Sequence, residues 1–534
     1  MLTKIYTASI QGIEAFPVTI ETFGENGAMF AIVGLPDTAV KESQQRMVSA
    51  ITHSGVTFPH RRTVINLAPA DVKKEGASFD LPMALGVLTA HNSIKYENLE
   101  DYMIMGELSL DGSVLPVKGV LPMAIKAREL GFKRLIVPEA NVTEAAVVNK
   151  VEVYGVKNLA EAISLLEGNS DLKPTVIDTR AMFAAQSSLY DMDFSEVKGQ
   201  DSVKRAFEVA CAGSHNILMI GPPGAGKSMM AKRLPTILPP LSLGEALETT
   251  KIHSVAGKLS RGSMLMTNRP FRTPHHTVSP VAMVGGGTNP MPGEISLAHN
   301  GVLFLDEFPE FPRQVLEVLR QPIEDRTITV ARAKYTVNYP ASFMLVASMN
   351  PCPCGYYGHP TKKCTCMPGA VNKYMNKISG PLLDRIDLQI EIQPVAFDEI
   401  ATTAAAESSA AIRERVIKAR LIQQERFKGE KGVYSNAQMN TRLLRKYAWP
   451  DAKGLSKLKD IMEKYGMSAR SFDRILRVAR TIADLESGQL LPSPGSPDYA
   501  SALSSAVAAP VAARHIAEAI NYRNLDRSDY GTAF

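Results

Sequence analysis

The chain has 534 residues, of which 45% are hydrophobic and 21% are charged, and its formal net charge at pH 7 is +5. This composition is typical of a folded, multidomain protein and excludes a disordered or fibrous chain. The charge is too small for this length to indicate nucleic acid binding by itself, so that function must be argued from local groups of Arg and Lys. No apolar run approaches 18 residues and the N-terminus lacks the core of a secretory signal, so we expect a cytoplasmic protein without membrane contact.

Residues 1–166 alternate short β-rich runs with helical patterns, which predicts an α/β domain. Residues 167–193 mix Pro, Asn, Ser and Asp with weak periodicity, and we interpret them as a linker.

From residue 194 the order is helix, the apolar strand "NILMIG", a Gly-rich loop and a second helix, followed by the strands "GVLFLDE" and "ASFMLVASMN". This order is typical of a parallel nucleotide-binding sheet, which we assign to residues 194–394. Residues 395–534 show helical spacing and predict a helical domain. Its stretch "LPSPGSPDYASALSSAVAAP" is rich in Ala, Ser and Pro, and we expect a flexible loop there.

The Gly-rich loop fits the pattern G-x-x-x-x-G-K-S and predicts an ATP site. Its backbone N–H groups would wrap the phosphates, Lys227 would neutralise the terminal pair, and the Ser228 hydroxyl would coordinate Mg²⁺. The nucleotide-binding residues are predicted to be Gly221, Pro222, Pro223, Gly224, Ala225, Gly226, Lys227, Ser228 and Met229.

Polar residues at the ends of two later strands complete the predicted ATP site. Asp306 would hold Mg²⁺ through water, and Glu307 would polarise the attacking water. Asn350, at the end of the next strand, would help to orient that water. This set of residues is typical of an AAA+ ATPase.

Residues 194–394 resemble the AAA+ module of magnesium-chelatase-like proteins. The string "RPFRTPHHTVSPVAMVGGGTNPMPGEISLAHNGVLFLDEF" is similar to the bacterial ComM/YifB group in particular. The resemblance implies a ring, commonly a hexamer. It also implies that Arg385 of "GPLLDRID" reaches the ATP of the next protomer and that Arg470 of "SARSFDRIL" contacts the phosphates. A guanidinium supplied in this way stabilises the charge of the transition state. The alternatives are a local salt bridge for Arg385 and a surface charge for Arg470.

Two segments are predicted to face the pore of that ring. "DRTITVARAKYTVNYPAS" has the pattern of a hairpin with Arg332 and Lys334 near its tip. A Gly-rich insertion carries a further basic group, formed by Arg269, Arg272, His275 and His276. Basic tips on one axis suit a DNA backbone, although the same residues can be solvated loop charges or ring contacts. We do not expect a metal at the two histidines because no carboxylate partner is evident.

The N-terminal segment resembles the proteolytic domain of Lon across most of residues 1–166. Ser78 falls at the place of the nucleophile, but the stretch "VKGVLPMAIKA" lacks the lysine that should activate it, and Lys118 is offset. We therefore interpret the domain as a proteolytically inactive relative and Ser78 as a helix-cap residue. An active protease remains the alternative.

Four cysteines lie within fifteen residues in the loop 352–366: Cys352, Cys354, Cys364 and Cys366. Four thiolates at this spacing can surround a tetrahedral Zn²⁺, which we expect to be structural; an iron–sulfur cluster or free thiols are the alternatives. Cys211 is expected to be a core residue.

The leading hypothesis is an ATP-driven ring that moves along single-stranded and branched DNA, as the ComM-like resemblance implies for branch migration in recombination. A chelatase-type remodelling motor and a Lon-like ATP-dependent protease are the alternatives. A non-enzymatic scaffold is excluded because every ATPase position is filled.

Overall fold

The computed structural model describes residues 1–186, 190–259, 264–287, 290–331, 336–395 and 406–523. The chain folds as an α/β multidomain protein, and its first part is built on a seven-stranded mixed sheet of order β3-β4-β2-β1-β5-β8-β9. The strands of this part are β1 Leu2–Gln11, β2 Glu14–Glu25, β3 Phe30–Val33, β4 Arg62–Ala68, β5 Tyr102–Ile104, β6 Glu107–Leu108, β7 Val114–Leu115, β8 Arg134–Pro138 and β9 Glu152–Val156. Its helices are α1 Thr38–His53, α2 Asp80–Ala90, α3 Val120–Glu129, α4 Val142–Ala146 and α5 Leu159–Leu166.

The long hairpin β1–β2 organises this first sheet. Alternate residues of β2, including Val18 and Ile20, are buried, as the pleat of a half-buried strand requires. All residues of α2 are buried because this helix lies against β1 and β2 and is covered on its other side by α1. The predicted α/β character of residues 1–166 is therefore confirmed.

A second sheet of five parallel strands follows, in the order β11-β14-β17-β10-β18. Every residue of β10, β14 and β17 is buried, which explains why these strands are continuous apolar runs in the sequence. The strands of this part are β10 Ile217–Ile220, β11 Phe271–Arg272, β12 Gly285–Gly286, β13 Met291–Pro292, β14 Val302–Leu305, β15 Thr327–Ala331, β16 Thr336–Pro340, β17 Met344–Met349 and β18 Leu388–Glu391. Its helices are α7 Asp201–Gly213, α8 Lys227–Ile237, α9 Leu243–Val255, α10 Pro280–Val284, α11 Glu294–Leu297, α12 Arg313–Val318, α13 Arg320–Asp325, α14 Ala370–Met375 and α15 Gly380–Leu383.

The last part of the described chain is helical. Its elements are α16 Ser409–Arg426, α17 Thr441–Tyr447, α18 Ala452–Tyr465, α19 Ala469–Gln489, α20 Tyr499–Ala508 and α21 Ala513–Asn521. Helix α19 is central because it packs against α16, α21 and α7, and its buried face carries Ile475, Leu476, Ala479 and Ile482.

Two stretches without clear periodicity contain helices. Helix α6, Thr179–Gln186, lies in the segment interpreted as a linker. Helix α20 lies in the stretch expected to be a flexible loop, so that expectation was wrong over Tyr499–Ala508. Its Ala506 is buried in a small cluster with Ile422 and Leu491. Ala and Ser favour a helix once one face has a surface to cover, and the sequence did not show that surface.

The N-terminal sheet domain and the nucleotide-binding domain share a buried core. Leu241, Ala246 and Leu265 belong to the same cluster as Leu121 and Met123 of α3. Ser254, near the end of α9, donates a hydrogen bond to the Glu144 carboxylate of α4. At another point of contact, the turn at Gly12 between β1 and β2 approaches Val337 of β16 so closely that a Cβ on Gly12 would lie 2.4 Å from the Val337 Cγ1.

No helix in the described ranges is both long and apolar enough to cross a lipid bilayer.

Candidate ATP site and cysteine cluster

The predicted phosphate loop runs from the end of β10 to the start of α8. Gly226 has a φ of 85°, which places it in the left-handed region that glycine adopts without strain. At Gly221 a Cβ would lie 2.4 Å from the Ile392 carbonyl oxygen, so the loop also needs glycine there to pass the neighbouring strand connection. These two glycines set the backbone path that turns the loop N–H groups toward a phosphate.

The Lys227 ammonium lies inside this loop. Its Nζ donates to the carbonyl oxygens of Gly221 at 2.6 Å and Pro222 at 2.9 Å, and to Asn350 Oδ1 at 3.1 Å. Burial lowers the pKa of Lys227, while the nearby Asp306 carboxylate opposes that shift. The ammonium is thus held at a place where a bound phosphate would pair with it as the negative partner.

Asp306 accepts hydrogen bonds from two hydroxyl groups at the predicted Mg²⁺ site. Ser228 Oγ donates to Asp306 Oδ2 at 2.6 Å, and Ser348 Oγ donates to the other carboxylate oxygen. A hydroxyl and a carboxylate side by side are hard oxygen ligands of the kind that Mg²⁺ prefers. Ser348 was not predicted, although it stands two residues before Asn350 and so lies on the same side of the strand path.

Glu307 and His276 form a pair that the sequence did not indicate. Glu307 has a φ of 53°, and its side chain is 59% exposed at the nucleotide side of the sheet. His276 Nδ1 lies 3.4 Å from Glu307 Oε2, and the His275 ring centroid lies 4.0 Å from that of His276. The expectation that no carboxylate lies near the two histidines was therefore wrong. His276 instead contacts the residue predicted to polarise water.

Two of the residues predicted to bind DNA are engaged within the chain. Arg269 donates to the carbonyl oxygens of Pro239 and Asn300 at 2.7 Å each and pairs with Glu245 at 3.2 Å. Arg272 makes a bidentate pair with the Glu294 carboxylate at 2.7 and 2.8 Å. Such fork-shaped pairs are among the strong hydrogen-bonded ion pairs of proteins. Arg269 and Arg272 thus hold the insertion onto its own core, and their assignment to DNA stays a prediction.

The hairpin predicted for "DRTITVARAKYTVNYPAS" is present as β15 paired antiparallel with β16, up to the pair Ala331–Thr336. Arg332 and Lys334 lie in the connection between these strands, outside the described residues. Their role stays a prediction.

Arg385 and Arg470, the two arginines implied to contact ATP, differ in exposure. Arg385 is only 8% exposed at its side chain and pairs with Glu324 at 2.9 Å. Its Nη1 also donates to the Pro381 carbonyl oxygen at 2.6 Å. The Arg470 side chain is 61% exposed, and its Nη1 lies 4.0 Å from Asp384. Arg385 must leave its pair with Glu324 to reach another protomer, whereas Arg470 already faces outward.

The four cysteines of the loop 352–366 converge on one point. Their sulfur atoms all lie within 4.8 Å of one another, and the pairs Cys352–Cys354, Cys354–Cys364 and Cys352–Cys364 lie at 3.3, 3.5 and 3.7 Å. Tetrahedral Zn²⁺ with Zn–S bonds of about 2.3 Å needs sulfur atoms about 3.8 Å apart, which these spacings fit. Although burial opposes it, hydrogen bonds from the Tyr356 and Thr365 N–H groups lower the pKa of Cys354 to about 5, so the thiolate is favoured.

This cysteine cluster lies against the phosphate loop. Cys352 follows Asn350 by two residues, and the turn at Gly355 has a φ of 83°. A Cβ on Gly355 would lie 2.6 Å from the Pro223 Cδ, so the cysteine loop packs directly on the phosphate loop. Cys211, by contrast, is fully buried in the core, and burial raises its pKa, as expected of a packing residue.

Ser78 and Lys118 line a single cavity of about 460 Å³ between the N-terminal domain and β13 and β16. Ser78 lies in a short 3₁₀ turn before α2, and α2 has no side-chain cap, so the expected capping role is wrong. The Lys118 side chain lies along Gly257, with its Cε 2.7 Å from the place of a Cβ on that residue. No hydrogen bond joins Ser78 to Lys118 within the described part of the chain.

Known family models match each of the three parts of the chain. The family described as magnesium chelatase, subunit ChlI, matches residues 193–400, a second ChlI family matches residues 20–141, and the ChlI C-terminal family matches residues 406–504. The similarity to Lon is weaker: a Lon protease of the archaeon Methanocaldococcus jannaschii is 31% identical over 111 residues, which are 21% of this chain and 17% of that protein.

Two relatives match from end to end. Competence protein ComM of Haemophilus influenzae is 39% identical over 532 residues, and YifB of Salmonella typhimurium is 40% identical over 529 residues; both alignments cover 98% of this chain and 98% of the relative. With the phosphate loop, the parallel sheet and the helical C-terminal region in the order that these relatives share, the chain belongs to the ComM/YifB family of magnesium-chelatase-type AAA+ proteins.

Proposed function

We propose that this protein is an ATPase that works as a ring and moves along single-stranded and branched DNA. The observation that carries the ATPase part is the group formed by Lys227, Ser228, Asp306 and Asn350. Lys227 reaches Asn350 across two neighbouring strands, and Ser228 reaches Asp306 across the loop. Such a group positions a phosphate and Mg²⁺ for phosphoryl transfer to water.

The DNA part is supported by two features. The relative ComM, which this chain matches over its whole length, carries the name of a competence protein. The hairpin β15–β16 is attached to the nucleotide sheet just before β17, the strand that Asn350 follows. A hairpin in this position would convert a change at the ATP site into a movement of Arg332 and Lys334.

We also propose Mg²⁺ as the cofactor of hydrolysis and Zn²⁺ as a structural ion held by the four cysteines. Serine and carboxylate oxygens suit the first ion, and four thiolates suit the second. The zinc would fix the cysteine loop against Pro223 and take no part in the reaction.

A second candidate is an ATP-dependent protease, which the shared cavity of Ser78 and Lys118 favours. A chelatase-type remodelling motor is the third, since the family descriptions carry that name.

One assay separates these activities. ATP turnover of the full chain is measured alone and with single-stranded, duplex and four-way DNA, beside casein cleavage. We expect DNA to stimulate turnover and casein to stay intact. The double variant Arg332→Ala/Lys334→Ala should keep basal turnover and lose the stimulation, whereas Lys362→Ala/Lys363→Ala, in the exposed cysteine loop, should keep both. Equal turnover with and without every DNA, or casein cleavage that Ser78→Ala removes, would overturn the proposal.

A further inference from the structure

A polar cavity of about 300 Å³ lies between the nucleotide-binding domain and the C-terminal helices. We call it the arginine cavity, because Arg326, Arg474 and Arg477 line it. Arg326 directly precedes β15, whereas Arg474 and Arg477 stand three residues apart on α19 and so share one face of that helix. The cavity is therefore lined by charges from two different domains.

The arginine cavity is separate from the ATP site of the same chain. It is lined by Asn216, Phe343 and Asp387, which precede the strands β10, β17 and β18. The phosphate loop, Asp306 and Asn350 instead follow the strands of this sheet. Because the strands are parallel, the two sites lie at opposite ends of the strands. A strand of four residues separates them by about 13 Å.

One of the three arginines has its own counter-ion. Arg474 Nη1 lies 2.8 Å from Asp387 Oδ1, and Asp387 is 1% exposed. The other oxygen of Asp387 accepts from the Asn216 N–H at 2.9 Å and lies 3.7 Å from His215 Nδ1. Although burial opposes it, Arg474 and His215 hold the pKa of Asp387 well below its ordinary value. Asp387 thus already accepts hydrogen bonds from Arg474 and from the Asn216 N–H, with His215 close by.

Within the described residues, no carboxylate lies in salt-bridge distance of Arg326 or Arg477. Arg477 Nε donates to the Met439 carbonyl oxygen at 3.0 Å, and Arg326 Nη1 reaches only the Ser342 hydroxyl at 3.4 Å. The remaining acid at the cavity, Glu324, is paired with Arg385 at 2.9 Å. Two guanidinium groups therefore border one small cavity with neutral partners alone.

The two positive charges are costly in this arrangement. Burial lowers the pKa of Arg326 to about 10, helped by the charges of Arg477 and Arg474 and opposed by Asp387. Burial and the Arg474 charge likewise lower the pKa of Arg477 to about 10. A buried charge without a partner is destabilising, and an anion between two such groups removes the penalty of both.

We propose that the arginine cavity binds a phosphate-class oxyanion between Arg326 and Arg477, at a second site that is distinct from the phosphate loop. Guanidinium groups match phosphate oxygens with paired N–H donors, and 300 Å³ is the lower limit of ordinary ligand pockets. The anion is free phosphate or pyrophosphate, or it is the phosphate tail of a nucleotide. When bound, it joins the nucleotide-binding domain to α19.

The test uses the full chain with Lys227→Ala, which removes the main phosphate contact of the ATP site. Sodium phosphate, sodium pyrophosphate and ADP are titrated in separate calorimetric experiments at matched ionic strength. The single Trp, Trp449, reports thermal unfolding of the C-terminal helices in parallel. We expect saturable binding of one anion per chain and a rise in the melting temperature. Binding of phosphate or pyrophosphate identifies the free anion as ligand, and binding of ADP alone identifies a nucleotide tail.

Matched variants decide whether the arginine cavity is the site. Arg326→Gln and Arg477→Gln should each weaken the binding by at least about tenfold, because each removes one of two charge-assisted contacts. Arg445→Gln, at an exposed arginine of α17, should bind as the parent does. Without added anion the two cavity variants should melt no lower than the parent, since each loses a half-buried charge that has no carboxylate partner among the described residues. Absence of saturable binding, or equal binding in all three variants, would overturn the proposal.

Discussion

At the scale of single residues, Lys227 joins the two sides of the ATP site. Its ammonium contacts the carbonyl oxygen of Gly221 and Asn350 Oδ1. We expect Lys227→Ala to lower ATP turnover by about a hundredfold or more, which is the usual cost of losing a charge at a transferring phosphate. Lys232→Ala, at an exposed position of the same helix, is the control and should keep its turnover in a phosphate-release assay. Equal activity of the two variants would contradict the assigned site.

Arg385 is paired with Glu324 in the single chain. We expect the loss of either partner of this pair to change ATP turnover. Arg385→Ala should lower turnover by about a thousandfold if the guanidinium completes the pocket of a neighbour. Glu324→Gln removes the pairing acid, and we expect turnover to rise, because Arg385 then leaves its internal contact more easily. Glu317→Gln, which breaks the surface pair of α12 and α13 with Arg320, is the control. A fall in turnover with Glu324→Gln would show that the pair itself is needed.

The residues of the ATP site that could be predicted are those tied to a local pattern. Lys227 and Ser228 belong to a loop of fixed spacing, and Asp306 and Asn350 end apolar strands. Contacts between distant segments could not be predicted, because no pattern fixes which loop covers the site. For that reason the contact of His276 with Glu307 and the pairing of Arg269 with Glu245 were missed.

At the scale of elements, the cysteine loop supports the phosphate loop through the contact of Gly355 with Pro223. Loss of the proposed metal should loosen this contact and raise the KM for ATP more than it lowers kcat, since the loop packs on the phosphate loop and contains none of the residues predicted to take part in hydrolysis. We expect one zinc per chain by atomic emission and none in Cys364→Ser/Cys366→Ser. Lys363→Ser, in the same loop, should keep the metal and the KM. Full zinc content with both cysteines replaced would refute the ligand set.

The sequence predicted the fully buried strands of the second sheet but not helix α20. The fully buried strands β10, β14 and β17 were evident because a parallel sheet covered on both faces needs unbroken apolar runs. Helix α20 was not evident: its sequence is mostly Ala and Ser, and its inner face is defined only by packing on the cluster that contains Ile422 and Leu491. Weak amphipathic patterns identify a helix only when the packing partner is known.

At the scale of the whole molecule, the N-terminal domain and the nucleotide-binding domain are joined by a common core. Leu121 is fully buried in that core, whereas Leu130, just after the same helix, is 49% exposed. Leu121→Ala should cost about 2–5 kcal/mol of stability and lower the temperature at which ATP turnover is lost. Leu130→Ala should change stability by less than about 0.5 kcal/mol. Unchanged thermal inactivation of ATP turnover in Leu121→Ala would show that the two domains unfold independently.

A ring that shares its ATP sites between protomers also predicts poisoning by an inactive copy. Glu307→Gln keeps the shape of the side chain and removes the carboxylate that would polarise water. Mixed in equal amounts with the parent chain, it should lower turnover to well below half. The exposed variant Glu463→Gln, mixed in the same way, should leave total turnover at the level of the parent. Strictly proportional activity in the Glu307→Gln mixture would contradict cooperation between protomers.

The close approach of Gly12 to Val337 has a mechanical consequence. The turn at the end of the first hairpin contacts the strand that follows the Arg332 and Lys334 connection, and any side chain on Gly12 would clash with the Val337 side chain. If that connection moves during a catalytic cycle, the N-terminal domain must move with it or lose this contact. A bulky side chain engineered at residue 12 would push the two segments apart, and in the proposed motor it would uncouple ATP hydrolysis from movement along DNA.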